Sequence, residues 1–386
     1  MKRHLKVFTA SLFIAVLGVT SCFKEEAPNA ECDILEATLH LSPGEINKYL
    51  YNPSDTLVQV DYASHEIKFT VKPGTEIKMM APTFKMTEGA TIHPESGSLQ
   101  DFSKGKVKYT VTSESGEWQR EYMVGFSAST IIPQWEFEKF ELEPKGKYYQ
   151  WYSRMQDGGL VSNWASGNQG YTLGAPKNTT PEDYPSSFSK DGVNGYCLKL
   201  TTLSTGSMGA TFKKPIAGGS LWLGEFDFSK SLTDSPKSIN FGIAFDRKPL
   251  KLTGYYKFTP GPVVTDKNMD PQPGVVDEPD IFAVLFINHD QEGKPICLYS
   301  DNVKTSPQLV AIAQVTGLKA CDTWQQFEAD FNYLKPIDPV KLAQQGYSLS
   351  VMFNSSKKGD VFYGAIGSQL CIDCVEVICA TNKKDK

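Results

Sequence analysis

Histidine is scarce, with five in 386 residues. Beyond His4, only His40, His65, His93 and His289 are present, and they are scattered. That excludes histidine-based nucleophilic catalysis and a histidine-rich zinc site. The common signatures of chemistry are also missing: no G-x-S-x-G elbow, no phosphate-binding P-loop, no H-E-x-x-H and no dinucleotide G-x-G-x-x-G. Cations are in deficit, 39 Lys and Arg against 44 Asp and Glu, for a net charge of −5. Nucleic acid calls for a basic face, so it is excluded as a partner. Helical periodicity is nearly absent, and the two helix expectations are single short turns at Pro43–Tyr49 and Pro339–Gln345. Cysteine is sparse. The seven beyond Cys22 are Cys32, Cys197, Cys297, Cys321, Cys371, Cys374 and Cys379, an odd number that cannot all pair within one chain. Cys371 and Cys374 have CxxC spacing but sit in a run that reads as a strand. Three residues of strand span ~10 Å, farther than a disulfide bridges between α-carbons, so both read as small core residues.

What is present begins with a short cationic start, Met1 to Lys6, and an apolar run from Val7 to Val19. That run is shorter than the ~20 residues of a membrane-spanning helix and suits the apolar region of an export signal. It ends in Val19-Thr20-Ser21-Cys22, which resembles a bacterial lipoprotein signal. The resemblance implies removal of residues 1–21, lipidation of Cys22, a tether over 22–30 and a lipid anchor in the outer membrane. Lys24-Glu25-Glu26 is similar to the short acidic signal that carries Bacteroides lipoproteins to the cell surface. Loss of Lys2, Arg3 and Lys6 with the signal makes the remaining chain more acidic.

The body is rich in strand patterns. Period-two runs lie at Thr56–Asp61, Glu66–Val71, Glu76–Met80, Lys106–Val111 and Glu121–Phe126. Turn chemistry such as Lys72-Pro73-Gly74-Thr75 separates them. Short strands without an intervening helix predict a small immunoglobulin-like sandwich over 31–128. A connector, Ser129 to Pro133, leads to further strand patterns at Ser220–Phe228, Leu252–Phe258, Ile281–Ile287, Leu309–Val315, Gln326–Phe331, Ser348–Phe353 and Gln369–Ile378. Many strands with long loops predict a larger two-sheet β-jelly-roll over 134–383. The fold class is therefore all-β.

Pro82 to Ile92 resembles the N-terminal sandwich modules of Bacteroides surface lipoproteins. In the second domain, Trp164-Ala165-Ser166-Gly167-Asn168, Asp183-Tyr184-Pro185, Pro215-Ile216-Ala217-Gly218-Gly219, Arg247-Lys248-Pro249, Gly254-Tyr255-Tyr256-Lys257-Phe258-Thr259-Pro260-Gly261, Asp280 to Phe286, Thr323-Trp324 and Gly364-Ala365-Ile366-Gly367-Ser368 carry a second resemblance. In order and spacing they resemble the PCMD family, the putative carbohydrate metabolism domain of Bacteroides-type lipoproteins. The resemblance implies a jelly roll related to carbohydrate-active and carbohydrate-binding proteins, with no catalytic residues to carry over.

Three constellations follow from the residues. Glycoside hydrolysis needs two carboxyl groups ~5–10 Å apart, and alternate residues of one strand share a face at ~6.6 Å. Glu225 and Asp227 in Gly224-Glu225-Phe226-Asp227-Phe228 have that spacing, so they are the catalytic candidates. Sugar binding needs flat aromatic faces and polar groups. Trp151, Trp164 and Asn168 in a loop-rich segment, with Arg247, Tyr255, Lys257 and Asp280 on the expected sheet, are the carbohydrate-binding candidates. Tyr347 to Asn354 alternates apolar and polar positions, which predicts Ser348, Ser350 and Asn354 on one face. No cofactor is required. A structural calcium is a candidate where first and last strands meet, with Glu138 and Asp373 as ligands.

The leading expectation is a cell-surface lipoprotein whose jelly roll binds or processes a glycan. One alternative is a glycoside hydrolase or lyase using paired carboxylates. The other is a non-catalytic adhesion or assembly protein that binds a protein partner.

Overall fold

The computed structural model describes residues 28–50, 53–60, 64–71, 75–128, 130–156 and 158–380. The expected signal 1–21, Cys22 and most of the tether lie outside the described residues. No described helix is long and apolar enough to cross a membrane.

The N-terminal domain is two small sheets face to face. A three-stranded sheet holds Leu57–Gln59, Ile34–Leu39 and Pro82–Met86 in that order. A four-stranded sheet holds Glu66–Thr70, Gln119–Ser127, Val107–Thr112 and Thr91–His93, with the first pair parallel. Alternation drives the packing: Ile67, Phe69, Tyr109, Val111, Tyr122 and Val124 turn inward against Ile34, Ala37, Leu39 and Phe84. The expected strand Glu76–Met80 forms only an isolated bridge, Met80 to Gln100. The expected turn at Pro43–Tyr49 is a short helix, closed at its start by a capping box between Ser42 and Glu45.

Eight longer strands carry the C-terminal domain: β1 (Cys197–Thr201), β2 (Ser220–Phe226), β3 (Pro249–Thr259), β4 (Asp280–Ile287), β5 (Leu309–Gln314), β6 (Cys321–Asp330), β7 (Tyr347–Asn354) and β8 (Gln369–Cys379). They form two antiparallel sheets. The larger has nine strands, with β2, β7, β4 and β5 at its centre; the smaller has six, with β1, β8, β3 and β6 in sequence. The main core lies between them. Leu252, Tyr256, Phe258, Leu370, Ile372, Val375 and Val377 of the smaller sheet meet Leu221, Leu223, Ile281, Ala283, Leu285, Leu349, Val351 and Phe353 of the larger. In β3 the alternate residues Lys251, Thr253, Tyr255 and Lys257 face away from this core, as the period of two requires.

The larger sheet departs from that rule. Every residue of β7 is buried, and all but the last of β4. A second apolar cluster covers its far face: Trp222, Phe241, Phe282, Val284, Phe286, Leu298, Val303, Leu309 and Met352. The segment from Asn288 to Gln308 folds over the sheet and supplies Leu298 and Val303. Burying a Phe or Leu side chain contributes ~1.5–3 kcal/mol, which is what holds this long segment down. As expected, Ser348, Ser350 and Asn354 share this face with Met352. It is a roofed layer, however, with an opening beside the ends of β2 and β7.

Candidate functional site

The opening is a cleft of about 170 Å³ beside the ends of β2 and β7. Its floor is sheet: Ser220 and Phe226 of β2, Met352 and Asn354 of β7, and neighbouring Ile239. Its walls are two short helices, Asn168–Tyr171 and Gly206–Thr211, and two turns, Ser235–Ser238 and Gly359–Val361. Leu173, Met208, Phe212 and Leu232 stand exposed around the mouth, with Phe212 at 55% exposure. A cluster of exposed large apolar residues around a concavity marks a ligand site more often than chance.

Polar groups are few and placed on the floor. Register puts Ser220, Asn354 and Asp280 in one row across β2, β7 and β4. Asn354 is only 6% exposed. Its Oδ1 accepts from the Ser356 amide at 3.2 Å, which holds the side chain and leaves Nδ2 as its free donor. Among the described residues, neither Asn354 Nδ2 nor the Ser220 hydroxyl has a protein partner. Space around this amide is made by Gly218, where a Cβ would lie 2.9 Å from Asn354 Oδ1; one on Gly359 would meet Oδ1 at 3.4 Å and Nδ2 at 3.5 Å, ordinary contact.

Asp360 follows Gly359 and lines the same cleft. Burial pushes its carboxyl above the usual aspartate value, and the charge of Asp280 adds to this. Asp280 itself accepts from Lys304 at 2.7 Å and Gln314 at 2.9 Å. Lys214 is the one ammonium lining the cleft among the described residues. It donates to the Ser231 and Leu232 carbonyls at 2.7 and 3.0 Å and to the Ser235 hydroxyl, and burial lowers its pKa. Lys214 therefore fastens the 231–235 wall and has little left for a ligand.

The residues singled out from sequence are dispersed. Trp151 and Trp164 are 1% and 6% exposed, inside the main core. Trp164 packs edge-on to Trp135 at 5.3 Å and stacks on Phe353 at 6.0 Å, so neither indole offers a face to a sugar. Both still border a small hollow beside Glu225 and Phe226. Asn168 is fully buried, donating to the Ser186 carbonyl at 2.7 Å and accepting from its amide at 3.0 Å. Ser186 in turn donates to the Ser220 carbonyl at 2.7 Å, so Asn168 anchors a cleft wall to the floor without facing the cleft. Arg247 donates to the Ile131 carbonyl and pairs with Asp246, tying the inter-domain connector to the jelly roll. Tyr255 and Lys257 face outward from the smaller sheet, on the other side of the molecule from the cleft. Lys257 pairs with Asp191 and sits 4.8 Å from the Trp324 ring centre. Of this set only Asp280 belongs to the cleft-bearing face.

The expected carboxylate pair is not formed as one strand face. β2 ends at Phe226, leaving Glu225 exposed on the strand and Asp227 beyond it. Asp227 caps the turn at 228–230, accepting from the Ser229 amide at 3.0 Å, and the Ser229 contacts hold its carboxyl below the usual range. A carboxyl so held is a poor proton donor. Glu138 and Asp373 come together at the expected meeting of first and last strands, but around backbone. Glu138 accepts from the Tyr196 amide at 2.7 Å, and Asp373 from the Val193 and Asn194 amides at 2.7 and 3.3 Å. Calcium needs six to eight oxygen ligands, and N–H donors pointing at these carboxylates do not fit a cation. No cluster of three or more His, Cys, Asp or Glu suited to a metal occurs among the described residues.

Sequence reasoning missed Asp360, Phe212 and Lys214. Each lies on or just after a turn or short helix that pattern reading passes over. The one available signal was glycine density, Gly206, Gly209, Gly218, Gly219 and Gly359.

Comparison with known proteins places this architecture. The family model for SGBP, N-terminal, matches residues 51–125. A crystal structure from Bacteroides thetaiotaomicron VPI-5482, described as a putative glycoside hydrolase, is 37% identical, covering 93% of this chain and all of its own, with a TM-score of 0.68. Another from Bacteroides vulgatus ATCC 8482, with the same description, is 36% identical over 65% of this chain and all of its own, with a TM-score of 0.61. No curated protein matches. The model of the putative carbohydrate metabolism domain, PCMD, matches residues 136–378, the whole two-sheet domain that carries the cleft, and the chain belongs to that family.

Proposed function

We propose that this protein is an envelope lipoprotein, anchored through Cys22, that binds carbohydrate in the cleft between β2, β7 and the turn at Asp360. The observation that carries the reading is the floor itself. Two mostly buried residues of the cleft lining, Asn354 and Ser220, each keep a polar group, Nδ2 and the hydroxyl, that bonds no protein group among the described residues, beside apolar walls. Sugars present that combination of hydroxyls and C–H faces. Family membership and the carbohydrate-related description of the relatives support it.

Affinity electrophoresis against a panel of host and dietary polysaccharides tests it. One or more glycans should retard the protein. Phe212→Ala and Asn354→Ala should each weaken retardation about tenfold, by analogy with lost interface anchors and hydrogen bonds of ~1.4 kcal/mol. Trp164→Phe, a core change, should lower stability and leave retardation intact. Retardation unchanged in both cleft variants sinks the assignment.

A second reading, glycosidic-bond hydrolysis, is favoured by one observation: Asp360 holds its proton to higher pH than an ordinary aspartate, as a general acid requires. Release of reducing ends from a retained glycan, abolished in Asp360→Asn, would establish it. Retention without release leaves the protein a binder.

A further inference from the structure

We propose that the sugar held against Asn354 and Asp360 carries an acetamido group, so that the ligands are glycans containing N-acetylhexosamine. This rests on the carbohydrate reading above and names the class of sugar.

Three features of the floor match the three parts of an acetamide. The first is a donor of fixed orientation. Because Asn354 Oδ1 accepts from the Ser356 amide, Nδ2 is the group of this cleft-lining side chain left to donate, and it suits a carbonyl oxygen. The second is an acceptor next to it. Gly359 brings its backbone beside the Asn354 amide, and the following residue, Asp360, lines the cleft with a carboxyl that can take the N–H of the acetamide. The third is an apolar seat. Met352, Phe226 and Ile239 lie in the floor and Phe362 in the wall, where a methyl group packs without stranding a hydroxyl. A plain hexose would set hydroxyls against that apolar surface, and a buried polar group without a partner is disfavoured. Gly218 keeps the space around the amide clear.

The same inventory disfavours acidic sugars. Lys214 is saturated by two carbonyls and a hydroxyl, and Lys304 is held by Asp280 and Gln314. No free ammonium remains in the cleft, among the described residues, to meet a uronate or a sulfate.

Calorimetric titration of the full chain with methyl glycosides tests this. The probes are N-acetylglucosamine and N-acetylgalactosamine, their parents glucose and galactose, L-fucose and glucuronate. The acetamido glycosides should bind at least tenfold tighter than their parents. Asn354→Ala should erase that difference, and Asn354→Asp, which replaces the donor with an acceptor, should do the same while keeping size. Gly218→Ala, whose Cβ would lie 2.9 Å from Asn354 Oδ1 and crowd the amide, is a further variant should the Asn354 variants fold poorly by circular dichroism, and it too should reduce the acetamido preference. If parents or fucose bind as well as the acetamido sugars, and Asn354→Ala weakens all alike, the acetamido assignment is overturned while the cleft stays a carbohydrate site. If glucuronate binds best, the assignment falls too. If no sugar and no polysaccharide binds, the carbohydrate reading itself fails.

Discussion

Single residues show how environment divides carboxylates into different tasks. Asp227, Asp277, Asp280, Asp360 and Asp373 all belong to the jelly roll, and no two share the same surroundings. Asp227 caps a turn and is held low by Ser229. Asp277 is fixed by the Ser356 and Ser368 hydroxyls and the Ala365 amide. Asp360 is raised by burial and by Asp280, while Ser300 and nearby backbone amides pull the other way. A carboxyl whose pKa is raised in the folded state contributes its stability at low pH and loses it as pH rises. The loss begins at the ordinary aspartate value of 3.8 and continues to the folded value above it. Asp360→Asn removes that loss. The variant should therefore melt at a higher temperature than the parent at pH 7, and the gap should narrow as pH falls toward 4. Thermal melts across that range check it. A variant that melts lower at pH 7 would show that Asp360 is a stabilising ion and not a strained acid.

Elements are held by backbone accounting as much as by side-chain packing. The segment from Asp191 to Tyr196 crosses the seam between the first and last strands with its amides turned inward, and Asp373 and Glu138 receive them. Asp373 is completely buried, and its loss would strand the amides of Val193, Asn194 and Cys374 with no acceptor. Such a deletion costs about 1–3 kcal/mol. Asp373→Ala should lower the unfolding free energy obtained from urea titration by that amount and so lower the midpoint, and neither calcium nor a chelator should restore or alter it. A midpoint that shifts with calcium in the parent protein would reinstate a cation at this seam. The two sheets follow the same accounting. In β3, one face is core and the other polar, whereas β4 and β7 bury both faces because the segment from Asn288 to Gln308 roofs them. The cleft survives where the roof stops.

The whole molecule reads as a cleft-bearing jelly roll preceded by a small sandwich, with the connector fastened to the larger domain. Ile131 is packed into the main core, and its carbonyl takes the Arg247 guanidinium. Two domains so joined suit a spacer that holds the cleft off a membrane. Lipidation of Cys22 is the proposal on which that picture depends. In a bacterial host, Cys22→Ser should move the protein from the membrane to the soluble fraction and abolish labelling by a radioactive fatty acid, with the melt of the folded body unchanged. A variant still bound to membranes would remove the lipid anchor.

The sequence by itself determined the all-β class, most long strands and the family, because period-two alternation and turn residues are local and a family match needs only order and spacing. It also reached the shared face of Ser348, Ser350 and Asn354, which follows from alternation along one strand. Only the tertiary structure decided which aromatics are surface and which are core. Trp151 and Trp164 look like sugar platforms in a loop-rich stretch, yet large rings gain most from burial and the space between the sheets was theirs to fill. The cleft was equally out of reach. Phe212, Asn354 and Asp360 lie on segments far apart in the chain, and nothing local to any of them says that strand order and the connecting turns bring them to one cleft.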